Sequence, residues 1–175
     1  MTRLQGLGPL ITPTTRVLVL GSFPGVRSLQ LQQYYAHPQN QFWRILQQLW
    51  PQAPWPEDGD YARRCACALA QGLGIWDVYA SCEREGSLDS AIRQAQLNDF
   101  PALLRQCPQL RGIAHNGGES FRHAHAVEQS LTQAGLAGRV KVHKLPSTSP
   151  ANASWTFERK LGAWRAVMQE HGLLA

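Results

Sequence analysis

The chain has 175 residues, 43% of them hydrophobic and 17% charged, and 17 Lys and Arg against 12 Asp and Glu give a formal charge of +5. That length suits one globular domain over residues 1–175, and the apolar share excludes a disordered tail. No apolar run reaches the roughly 18–20 residues of a membrane span and the first ten residues lack the core of a secretory signal, so a cytoplasmic location is expected.

Arg16-Val-Leu-Val-Leu20 reads as a β-branched strand ended by Gly21. Gly21-Ser22-Phe23-Pro24-Gly25 follows, two glycines around a proline, a loop whose backbone can come close to a ligand or simply turn into a helix. Next comes Tyr34-Tyr35-Ala36-His37-Pro38-Gln39-Asn40-Gln41-Phe42-Trp43. Asn40 is well typed as a helix N-cap, a structural role that competes with a catalytic one. Tyr34 or Tyr35 could offer a flat face to a nucleobase. Over 40–50, Phe42, Ile45, Leu46 and Leu49 fall on one helical face.

The Pro-rich stretch 50–60 is an exposed loop, followed by a helix at about 61–71, a strand over 74–79 and a helix at about 99–106. A strand over 111–115 leads into Asn116-Gly117-Gly118, where the Asn either turns the chain or presents its donor–acceptor amide to a base edge. A helix over 118–134 and a strand over 139–143 precede Leu145-Pro146-Ser147-Thr148-Ser149-Pro150-Ala151-Asn152. Hydroxyls in such a Pro-braced loop suit phosphate oxygens, a small rigid wedge there suits a duplex beside an extruded nucleotide, and an ordinary helix cap is the alternative. The last helix, about 155–170, carries Arg159 and Lys160. Strands alternating with helices argue for an α/β fold with a parallel sheet, whose ligands bind beyond the carboxyl ends of the strands.

The positive charge is concentrated near the end: Arg139, Lys141, Lys144, Arg159, Lys160 and Arg165 face only Glu158 and Glu170 after residue 138. An anionic partner or an ordinary solvated face would account for this equally. Cys65, Cys67, Cys82 and Cys107 lack zinc-like spacing and are expected to be reduced structural thiols. His115, His123 and His125 do not form a ligand set, because i and i+2 on a helix face apart, so no metal is expected.

Gly21–Gly25, Ala36–Trp43 and Leu145–Pro150, in that order over about residues 16–165, resemble the motif set of the uracil-DNA glycosylase superfamily. The nearest branch is that of the hypoxanthine-DNA (deoxyinosine) glycosylases; mismatch-specific uracil glycosylases share His-Pro-x-Asn-x-Phe-Trp. The resemblance implies a three-layer α/β/α sandwich around a short, mostly parallel four-stranded sheet. It also implies cofactor-free hydrolysis of the N-glycosidic bond of a flipped, deaminated base in DNA, a step of base excision repair. Most branches place a catalytic Asn or Asp at the third position of the first motif, where this chain has Phe23.

The hypoxanthine branch resembles this chain in that respect, and the resemblance implies catalytic residues at Asn40 and Asn116, the second expected to read the amide-like edge of the base. Gly21, Ser22, Phe23, Pro24, Gly25, Tyr35 and His37 are expected around the base, and Pro146, Ser147, Thr148, Ser149, Pro150, Arg159 and Lys160 on the DNA. No Asp or Glu precedes Trp50, which leaves the first two motifs without a strong general base. No lysine lies in the base-facing motifs, so a monofunctional glycosylase without lyase activity is expected. Rival readings are a uracil-mispair glycosylase, a non-catalytic damaged-DNA-binding domain and a hydrolase of free nucleosides. A monomer acting on duplex or single-stranded DNA completes the expectation.

Overall fold

Every residue of Val17–Gly21 is buried, as in a strand covered on both faces. In the computed structural model, which describes residues 2–175, this is the second strand. The order is β1 (Arg3–Gln5), β2 (Val17–Gly21), α1 (Val26–Leu31), α2 (Phe42–Leu49), α3 (Tyr61–Ala70), β3 (Leu73–Asp77), β4 (Tyr79–Glu83), β5 (Arg93–Leu97), α4 (Phe100–Gln106), β6 (Gly112–Asn116), α5 (Gly118–Phe121), α6 (Ala124–Gln133), β7 (Lys141–Leu145) and α7 (Phe157–Glu170).

Four strands form a wholly parallel sheet in the order β3-β2-β6-β7. The chain first moves from β2 to β3, then crosses back to β6 and on to β7. Right-handed crossovers in opposite directions put the intervening helices on opposite faces. Helix contacts agree, since α2 packs on α7 and α4 on α6. The result is the expected α/β/α sandwich, with its topological switch point between β2 and β6. On α2, Phe42, Ile45, Leu46 and Leu49 are all buried, each stabilising the fold by about 1.5–3 kcal/mol relative to an exposed side chain. The four cysteines are free and buried. Among the described residues no helix is long and apolar enough to cross a membrane.

The expected strand over 74–79 is in fact two. At Val78 the chain leaves the parallel sheet, and β4 joins a separate antiparallel sheet ordered β1-β4-β5. Strand β5, Arg93-Gln-Ala-Gln-Leu97, is exposed at every position and has no apolar alternation to announce it. The helix expected over 118–134 breaks between α5 and α6, and α1 arises where no helix was expected.

Candidate active site

A cavity of about 310 Å³ opens beyond the carboxyl ends of the parallel strands, at the switch point. Gly21–Gly25 after β2, Asp77 at the end of β3, Asn116 at the end of β6 and Ser147–Pro150 after β7 all line it. Tyr35, His37 and Asn40 form a further wall, and Ser87, Leu88 and Asp89, from the β4–β5 connection, another. The two carboxamides singled out in the sequence thus share one cavity.

A chain of hydrogen bonds fixes three of these segments to one another. Asn116 Nδ2 donates to the Thr148 hydroxyl (3.0 Å) and to the Tyr35 hydroxyl (3.2 Å), while its Oδ1 accepts from the Thr148 backbone N–H (3.0 Å). The Thr148 carbonyl in turn accepts from the Gln41 N–H at the start of α2. Gly117, at φ +97°, lets the next loop pass: a Cβ there would lie 2.9 Å from Cβ of Ser147. Both amide hydrogens and one acceptor site of its oxygen are thus engaged by protein, so Asn116 pins the loop after β7 while lining the cavity.

Asn40 lines the cavity and also starts a helix. Its Oδ1 accepts from the Phe42 N–H at 2.9 Å, an Asx turn that starts α2, although Gln41 occupies the cap position itself. Its Nδ2 makes no hydrogen bond among the described residues. The ring of Tyr35 stacks on Phe42 with centroids 4.1 Å apart, and its backbone sits at φ +53°, a left-handed conformation costing on the order of 1 kcal/mol in a non-glycine residue. Tyr34, the alternative stacking residue, also borders the cavity, but it is 3% exposed and its hydroxyl donates to the carbonyls of Leu7 and Gly8, which packs most of the side chain into the core. His37 is exposed, and its Nδ1 accepts from the Gln39 N–H.

Several DNA-contact expectations need correction. Lys160 is 2% exposed and donates to Gln41 Oε1 at 2.9 Å, so its charge braces α7 against α2 and is not offered to phosphate. The Thr148 hydroxyl is wholly buried against Asn116. The Pro146 carbonyl accepts from the Trp164 indole, and the residue does not line the cavity. The hydroxyls of Ser147 and Ser149 accept from backbone N–H groups two residues on. Arg159 is exposed, its guanidinium over the Trp155 ring. The cap of the last helix is Thr156.

The sequence reading missed the two carboxylates. Asp77 is 5% exposed, and its Oδ2 is buried without a hydrogen-bond partner. Burial first, then the neighbouring Asp89 carboxylate, push its carboxyl up to about 7, against the opposing pull of Arg84. It lies so close to β2 that a Cβ on Gly21 would stand 2.5 Å from its Oδ1, which is the physical demand for glycine at that position. Asp89 is also shifted upward by burial, but it accepts a 2.7 Å bond from the Ser22 hydroxyl that favours its charged form. The buried Arg84 guanidinium donates to the carbonyls of Pro24 and Gly86 and lies over the Phe23 ring, tying the β4–β5 connection to the first motif. Asp77 follows an apolar strand as Asn116 does, and that parallel was the one available signal.

Comparison with known proteins agrees with this geometry. Residues 9–168 match the model of the uracil DNA glycosylase superfamily. A protein of Methanosarcina acetivorans named hypoxanthine DNA glycosylase is 34% identical over 94% of this chain and 98% of its own. One of the same name from Methanosarcina barkeri is 33% identical over 90% and 94%. A candidate uracil DNA glycosylase from Methanosarcina acetivorans, solved by solution NMR, superposes with a TM-score of 0.78 at 30% identity, covering 98% of this chain and 99% of the other. With the sheet order, the cavity at the switch point and these likenesses spanning almost all of its length, this chain belongs to the uracil DNA glycosylase superfamily.

Proposed function

We propose that this protein excises hypoxanthine from DNA by hydrolysing the bond between N9 and C1′ of deoxyinosine, and that Asn40 and Asp77 are its chief polar groups. The observation that carries the reading is the shared cavity, which brings an amide with a free Nδ2 to the same space as an unpartnered buried carboxyl. Its volume lies at the small end of the roughly 300–1,000 Å³ of ligand pockets, which suits a single extruded base. A base in a duplex hides its glycosidic bond, so the nucleotide must first be flipped out, at least cost where it is mispaired. The Tyr35 and Phe23 rings supply stacking surfaces.

Hypoxanthine presents an N–H beside a carbonyl. A protonated Asp77 suits that edge, its Oδ1 carrying the proton and donating to O6. When the glycosidic bond breaks, its electron pair leaves with the base, and negative charge spreads to O6; a donor there is stronger in the transition state than before it. The sugar is left with oxocarbenium character, which the Asp89 carboxylate stabilises electrostatically. Two like carboxylates in one cavity resist ionising together, and the Ser22 hydroxyl assigns the charge to Asp89. Asn40 holds the attacking water through its remaining amide valences; the water oxygen bonds C1′ and its proton passes to solvent or base. A carboxamide takes up no proton near neutrality, so positioning is its contribution.

Ser147, Ser149, Pro150 and Arg159 are left to meet the DNA backbone around the cavity. A single apolar cluster running from Val17 to Leu173 supports action as one folded unit. Duplexes carrying one hypoxanthine, uracil or xanthine, incubated with the protein and then treated with alkali, test the reading. Release of hypoxanthine at the highest rate is expected. Tight binding of every damaged duplex without release of any base would replace it with a non-catalytic damage-binding role.

A further inference from the structure

At the far end of α7, away from the cavity, three potential ligands meet. His143 lies in the middle of β7, Glu170 is the last residue of α7, and His171 caps that helix. His143 Nε2 is 2.8 Å from His171 Nε2 and 3.2 Å from Glu170 Oε2; His171 Nε2 is 3.8 Å from the same oxygen. Three atoms at those separations share a point roughly 2 Å from each, the length of a zinc–imidazole or zinc–carboxylate bond. Both imidazoles are largely buried, with side chains 12% and 10% exposed, while the carboxylate faces water at 41%.

Two further features favour a cation at that point. The His171 ring lies directly over Gly112 at the start of β6, where a Cβ would stand 2.7 Å from Nε2; only a bare Cα leaves room for the imidazole. Lys141 pairs with the other oxygen of Glu170, which leaves Oε2 turned to the histidines. Three atoms with lone pairs converging on one centre need positive charge there, and an imidazole–imidazole hydrogen bond supplies only one shared proton. The expectation of no metal rested on other histidines: His115 is engaged with Ser120, His123 with the Tyr79 hydroxyl, and His125 is exposed apart from them.

We propose that His143, His171 and Glu170 form a binding site for a zinc-type divalent cation that clips the end of α7 to β7. The two-nitrogen, one-oxygen donor set is that of a borderline cation; calcium and magnesium would require oxygens throughout. Water on the open side completes four-coordination. None of the three residues lines the cavity. The clip joins the strand that leads into the loop after β7 to the helix whose Trp164 and Lys160 support that loop and the start of α2. Its role is thus structural, holding the scaffold of the cavity and not its chemistry.

Metal-stripped protein titrated with zinc chloride by calorimetry, with thermal unfolding measured in parallel, tests the site. One equivalent should bind, with a rise in Tm. Glu170→Gln, on the exposed ligand, should weaken binding about 10-fold, and His143→Gln or His171→Gln about 100-fold. His125→Gln, on an exposed histidine outside the site, should bind as the wild type does. Cobalt(II) added to the wild type gives a readout independent of variant folding: intense visible bands mark four-coordination. Zinc binding that is equally strong in Glu170→Gln and both His variants, or a weak six-coordinate cobalt spectrum, would overturn the proposal.

Discussion

The two sheets of this protein contribute to one cavity in different ways. The parallel sheet has a buried centre in β3, β2 and β6 with β7 at its more exposed edge, and its strand ends and loops carry Asn40, Asn116 and the Ser147–Pro150 segment on a scaffold locked by side-chain hydrogen bonds. The small antiparallel sheet is half in water: β5 is exposed throughout, and its pairing with β4 is irregular. Yet the connection of that weaker sheet delivers Ser87, Leu88 and Asp89 to the cavity, held there by the buried Arg84, by the Ser22 hydroxyl on Asp89 and by the Val26 N–H, which donates to the Ser87 hydroxyl. Rigid strands fix the residues that must be placed closely. A lightly held hairpin brings charge and an exposed leucine to the rim, where DNA would enter.

The largest effect should come from the rigid side. Asn40→Ala is expected to lower base release at least about 100-fold while leaving DNA affinity within a few-fold, as single-turnover assays and binding titrations would register. Loss of its Asx turn should cost about 1 kcal/mol in chemical denaturation. Near wild-type release would remove Asn40 from the chemistry and leave it a helix-starting residue.

Asp77 joins the two sheets and offers a sharper test. Its protonated form is the proposed donor, so wild-type release should fall as pH rises above about 7. Asp77→Asn keeps one donor and one acceptor at every pH; it should remain active and lose that decline, whereas Asp77→Ala should lose about 10- to 100-fold. Stability follows the same linkage. A carboxyl raised from 3.8 unfolded to about 7 folded contributes fully below about pH 4 and loses that contribution as pH rises through 7. Asp77→Asn should therefore be more stable than wild type at pH 8, by at most about 4 kcal/mol, with the gap closing toward pH 4. Parallel pH profiles for wild type and Asp77→Asn would end the proposed role.

Cutting the tie between the sheets comes next. Arg84→Met removes charged hydrogen bonds to the Pro24 and Gly86 carbonyls and should destabilise by about 2–3 kcal/mol in urea unfolding. It should raise KM more than it lowers kcat, because the wall moves but Asn40 does not. The smallest effects lie on α7. Arg159→Ala should reduce the salt dependence of DNA binding by about one unit of slope, while Lys160→Met should leave that slope unchanged and lower only stability. A wild-type slope in Arg159→Ala would remove that residue from the phosphate contacts, and a lowered slope in Lys160→Met would restore the lysine to them.

The sequence made the parallel sheet legible because β2 is a continuous apolar run, the other three strands are short segments with apolar residues spaced between helices, and α2 carries a 3.6-residue stripe. The Phe42, Ile45, Leu46 and Leu49 face was read residue for residue. The second sheet was not legible: Arg93-Gln-Ala-Gln-Leu97 is exposed at every position and pairs mainly through its backbone, which leaves no mark in side-chain pattern. Lys160 misled for the opposite reason. A lysine on a helix near the end of a basic chain reads as solvated, and only its contact with Gln41 shows it buried. Asp77 escaped notice because its importance comes from lost water and a nearby Asp89, twelve residues along in the chain.

Composition, periodicity and the order of three short motifs were sufficient to determine the fold class, the end of the sheet where chemistry occurs, and the family. Such properties are local, written in spacing along one chain. Which polar atoms remain free for a substrate was decided only by tertiary structure. Hydrogen bonds between distant segments consumed both amide hydrogens of Asn116 and the ammonium of Lys160, and burial, which depends on every neighbour at once, turned an ordinary aspartate into a group that titrates near neutrality.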